Sequence, residues 1–107
     1  MKITIGRYDF EGPFASPLRL RPQAGIFAVV RSDNGGFEVV DVGQARNIRN
    51  EVESHERRPV WRSRANGAGL GFAALYTRQL RSVTRQLIVD DIRDRYQIEA
   101  EESEPFH

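Results

Sequence analysis

A chain of 107 residues has room for one domain with a modest core, and not for two. Its 39% hydrophobic and 29% charged residues match an ordinary globular protein, and no run nears the roughly 18 apolar residues of a membrane span. With no cysteine, disulfides and thiolate chemistry are excluded, and the net charge of +1 rules out a strongly acidic or strongly basic chain.

The first residues, Met1 to Arg7, contain no apolar block of signal-peptide type, so the chain is read as intracellular and cytoplasmic. Ile3 and Ile5 alternate with polar residues and predict a short strand over Lys2 to Ile5. Glu11 to Pro22 carries three prolines and reads as an irregular loop, with Phe14, Leu18 and Leu20 pinning it to the core.

Gly25 to Arg31 and Phe37 to Val42 are apolar, β-branched runs on either side of Ser32-Asp33-Asn34-Gly35-Gly36. Asn-Gly between such runs is a strong hairpin signal, because a type I′ turn needs positive φ at both central residues. After Gly43 a helical pattern begins at once. Ala45, Ile48, Val52 and His55 fall on one face of a helix expected over Ala45 to Ser54.

Pro59 suits the first turn of a second short helix reaching Ala65, and Asn66-Gly67-Ala68-Gly69 breaks it. Leu70 to Tyr76 reads as a buried strand. A last helix is expected from Ser82, as its cap, to Tyr96, with Val83, Leu87, Ile88 and Ile92 as its core stripe. Glu99, Glu101, Glu102 and Glu104 stand in a C-terminal stretch without Lys or Arg, so the remainder is more basic than +1 suggests. That acidic tail is expected to be disordered.

The fold class these elements predict is α+β. A three-stranded antiparallel sheet is flanked by helices and open to an extra N-terminal strand. Residues 1–24 form an N-terminal strand and Pro-rich loop packed on the core, 25–97 the main domain and 98–107 the acidic tail.

The stretch from 25 to 55 resembles the core of the GIY-YIG nuclease-like family. Gly25-Ile26-Phe27 stands where the family has Gly-Ile-Tyr, and Asp41-Val42-Gly43 where it has Tyr-Ile-Gly. Val42-Gly43-Gln44-Ala45, Asn47-Ile48-Arg49, His55-Glu56-Arg57 and Trp61 are similar to a small stand-alone branch, and the resemblance runs from about Gly25 to Tyr96. It implies a cleft lined by two tyrosines, an arginine that stabilises the phosphate charge, an assisting His or Tyr, and a glutamate holding one divalent metal as Lewis acid.

Carried across one residue at a time, that site is degenerate. The first tyrosine is Phe27, which lacks the hydroxyl. The second is Asp41. The arginine is Glu51, a reversed charge where a cation is needed. The metal-binding glutamate is Val89, which has no ligand atom, with Asp90 beside it as a weak alternative. His55 persists, along with Gly43 and Asn47, but a histidine on an apolar helix face is more often a satisfied side chain than a base. The standard hydrolytic site is therefore lost, with no metal expected, and the chain reads as a nucleic-acid or protein binding module. The alternative is a metal-dependent DNA endonuclease, using Mg²⁺ or Mn²⁺, with a site rebuilt from Asp41, Glu51, His55 or Asp90.

Fifteen of the sixteen basic residues are arginine, the better fork for phosphate and carboxylate. Arg57, Arg58, Arg62 and Arg64 surround Trp61, a pattern suited to phosphate contacts plus base stacking. Trp61 packed in the core, with the arginines as a solvated face, is the competing reading.

Overall fold

The computed structural model describes residues 1–98; the acidic tail expected to be disordered lies outside them from Glu99 onward. Asn34 and Gly35 both adopt positive φ, 42° and 87°, and close a two-residue turn between β3 (Gly25–Asp33) and β4 (Gly36–Ala45). β5 (Leu70–Tyr76) pairs antiparallel with the other side of β3. The three expected strands are thus neighbours.

The sheet is nevertheless wider than expected. Among the described residues it has five strands, in the order β1-β2-β5-β3-β4, where β1 is Lys2–Ile5 and β2 is Tyr8–Phe14. β2 corrects the irregular loop read there from its glycine and proline. Its register on β5 shifts between Glu11 and Phe14, so Pro13 sits where the ladder is already irregular and its missing N–H is not needed. Gly12, at φ 111°, supplies a conformation that other residues rarely adopt, and a Cβ there would meet the Phe72 carbonyl.

Helices cover both faces. α3 (Ser82–Tyr96) contributes Val89 and Ile92 to one apolar cluster, with Ile26, Ala28, Val30, Val42 and Ala73. α1 (Ile48–Glu53) and α2 (Arg58–Ala65) cover the other face. Ile48, Val52 and Trp61 pack there on Phe27, Val29, Val40, Phe72 and Ala74. Leu20 is fully buried in this second cluster and Phe14 packs on it, whereas Leu18 is exposed. No helix among the described residues is long and apolar enough to cross a membrane.

α1 starts later than its periodicity suggests. β4 continues to Ala45, and the Asn47 side chain caps the helix by accepting from the Asn50 N–H at 3.0 Å. α3 has the expected bounds but a rotated face, and Ser82 is its first residue and not its cap. Val83 and Leu87 are exposed, while Arg85, Val89 and Ile92 are buried. Arg85 takes a core position because its guanidinium finds partners there, as described below.

Thr77 follows β5 and its N–H donates to the Ala24 carbonyl. Its buried Oγ1 has no hydrogen-bond partner, alone in this respect among the described side chains. Replacing Thr77 by valine keeps the shape and removes that unsatisfied hydroxyl. The expected gain is about 1 kcal/mol, read as a rise in Tm of about 4–8 °C. A lower Tm would contradict it.

Candidate functional site

An aspartate inside the run Val39-Val40-Asp41-Val42 must find donors or destabilise the fold. The structure supplies them. The β3–β4 register slips between Val29 and Val30, with Asp41 opposite Val29 and Val39 opposite Val30, which leaves Val40 as the extra residue of a bulge. Asp41 is thereby turned under α2. Its Oδ2 accepts from Trp61 Nε1–H at 2.7 Å and Arg57 Nε–H at 3.3 Å. Its Oδ1 accepts from the Val42 N–H at 2.8 Å and lies 3.5 Å from Arg93 Nη2. Arg93 Nη2 also donates to the Val42 carbonyl at 2.8 Å.

β4 is the last strand in the sheet order, so the helices on the two faces approach each other past its edge. There they enclose a cleft of about 430 Å³. Phe27, Asp41 and Gly43 form its sheet side, Glu51 and His55 come from the α1 side, and Val89, Asp90 and Arg93 from α3. Phe27, Asp41, Glu51, His55, Val89 and Asp90, the site positions read from the sequence, therefore line one cleft, whereas Asn47 lies outside it.

The chemistry in that cleft is specific. His55 is packed between aromatic rings, 4.8 Å from Trp61 and 5.6 Å from Phe27 between centroids. The Arg57 N–H donates to His55 Nδ1 at 3.1 Å. In the neutral ring this leaves the proton on Nε2, which faces Glu51 Oε2 at 3.7 Å. Asp90 Oδ1 accepts from Gln86 Nε2 at 3.0 Å. Gly43 has no side chain because a Cβ would strike the Phe27 ring.

Few ligand atoms in the cleft are open to a divalent metal. Both oxygens of Asp41 are engaged by donors, His55 Nδ1 already accepts from the Arg57 N–H, and Val89 offers no ligand atom. No group of three metal-binding side chains comes together among the described residues. Of the alternative site's residues, Asp41, Glu51, His55 or Asp90, Asp41 is engaged by Trp61, Arg57 and Arg93.

The basic surface read around Trp61 does not assemble as expected. Trp61 is 1% exposed and offers no face to a base. Arg57 is drawn inward to Asp41, and Arg58 Nη1 caps the end of α1 on the carbonyls of Val52 and Glu53. Arg62 and Arg64 are exposed.

Three cleft residues escaped the sequence reading: Gln44, Gln86 and Arg93. Arg85 lies behind them and is 4% exposed. Its Nε donates to Gln44 Oε1 at 3.0 Å and its Nη1 to the Leu80 carbonyl at 2.7 Å. The spacing Arg85, Val89, Ile92, Arg93 was the available signal, legible only if an arginine is allowed in a buried stripe.

Compared with known proteins, the chain matches no family model, no curated protein and no solved structure.

Proposed function

We propose that this chain is a GIY-YIG-like domain that keeps the nuclease cleft without its hydrolytic groups and serves as a nucleic-acid binding module. One observation carries the reading. Positions far apart in sequence, chosen only by resemblance, line a single cleft, and the groups there are wrong for phosphodiester hydrolysis. A carboxylate, Glu51, stands where the developing phosphate charge needs a cation. A valine stands where a metal ligand is needed. The aspartate that replaces the second tyrosine is consumed in holding Trp61 and two arginines.

The preponderance of arginine favours a phosphate-bearing partner. The test is fluorescence anisotropy of a labelled single-stranded 15-mer against salt concentration. Binding with a Kd on the order of 10⁻⁴ to 10⁻⁶ M, weakening linearly in log salt, is the expected result. No binding at low salt would reject nucleic acid as the partner.

A further inference from the structure

One end of the sheet gathers arginines that no carboxylate matches among the described residues. Gly25 pairs with Ala45 on one side and with Tyr76 on the other. Those two residues therefore lie about 10 Å apart, two strand spacings. Arg46 follows the first and Arg78 closely follows the second. The chain then reaches Arg81, which precedes α3. Arg46, Arg78 and Arg81 are all exposed. None of the three side chains has a hydrogen bond or ion pair among the described residues.

Arg85 ties this corner together. Its guanidinium spans from Gln44, beside Ala45, to Leu80, beside Arg81. Both partners are neutral, so a nearly buried cation has no counter-charge among the described residues, an arrangement that costs free energy unless an anion compensates it. Its Nη2 makes no hydrogen bond there yet is not sealed from solvent. The first turn of α3 adds no acidic residue and no side-chain cap. By contrast, the neighbouring cleft carries Glu51 and Asp90, which repel a phosphate.

We infer that a nucleic-acid backbone docks across this end of the sheet, on Arg46, Arg78 and Arg81 with Arg85 as a fixed charge beneath, and not through the cleft or over the Arg57–Arg64 segment. This rests on the nucleic-acid reading above. The exposed arginines carry the sequence-independent phosphate contacts, and the two cleft carboxylates keep the backbone outside.

The experiment compares the full chain, an Arg46→Ala/Arg78→Ala/Arg81→Ala variant and an Arg62→Ala/Arg64→Ala variant, by anisotropy on the same single-stranded 15-mer. All five side chains are exposed and unpartnered, so both variants keep the parental melting curve. In the triple variant, affinity at 50 mM salt is expected to fall about tenfold or more, and the slope of log affinity against log salt to flatten by about 2, some 0.7 per lost phosphate contact. The double variant is expected to stay within about twofold of the parent. A triple variant that binds like the parent, or equal losses in both variants, overturns the docking surface and leaves the nucleic-acid reading standing. A parent chain that does not bind overturns both.

Discussion

Replacing Asp41 by alanine is expected to destabilise the protein by about 3–5 kcal/mol, the cost of breaking a buried charged network by removing one partner. The carboxylate serves four donors: the Trp61 indole, Arg57, Arg93 and the Val42 N–H. Without it the Trp61 N–H is stranded in a core where Trp61 is 1% exposed. The Arg57 guanidinium also loses its charge partner, and the Arg93 guanidinium loses one of its contacts. Against a typical total of about 5–15 kcal/mol this is a large fraction. Trp61 is the chain's one tryptophan, so its fluorescence reports the urea transition of parent and variant directly. A loss below about 1 kcal/mol would mean that Asp41 is not the structural hub described and is free for chemistry.

The second large effect falls on Gly25. A Cβ at this position would collide with the Leu75 carbonyl and crowd the Tyr76 Cα on the adjacent strand. These are backbone atoms in the paired register Gly25–Tyr76, so the contact cannot be relieved by turning a side chain. Gly25→Ala is expected to cost about 3 kcal/mol, the upper part of the overpacking range. Gly35→Ala serves as the comparison, because nothing lies within 4 Å of a Cβ there and only its positive φ of 87° penalises the change. Melting temperatures of the two variants separate the effects: Gly25→Ala should fall further. Equal shifts would mean that close strand approach is not what demands glycine at 25.

Part of the fold was legible in the residues alone. The hairpin announced itself through Asn34-Gly35, and β5 and the bounds of α3 followed from apolar runs and their breaks. β2 was hidden because Gly12 and Pro13 signal a loop until the bulge that accommodates them is seen. The expected stripe of Val83, Leu87, Ile88 and Ile92 left Arg85 out, because periodicity alone gives no reason to bury an arginine. Two neutral acceptors placed by distant segments, Gln44 and the Leu80 carbonyl, keep it inside.

The candidate site divides the same way. Phe27, Asp41, Glu51, His55, Val89 and Asp90 were selected by resemblance, and the fold brings them to one cleft. Arg93, Gln44 and Gln86 were missed because their place depends on how α3 packs across the β4 edge. The role of Asp41 was legible in principle. A lone carboxylate in a run of valines calls for several donors, and Trp61 with nearby arginines was at hand to supply them. Trp61 was read with the arginines as a stacking platform, but its indole N–H is directed at Asp41 and its ring is enclosed by Phe27, His55 and Phe72.

The measurement that bears most directly on the proposal of a cleft without hydrolytic groups is nicking of supercoiled plasmid by the purified chain in Mg²⁺ or Mn²⁺, beside Glu51→Gln and His55→Ala. The expected result is no nicking above the metal-only control, from a preparation that retards the same plasmid on a gel at low salt. Metal-dependent nicking by the parent chain, lost in both variants while each still melts as a folded protein, would contradict the account and place a working site on Glu51 and His55.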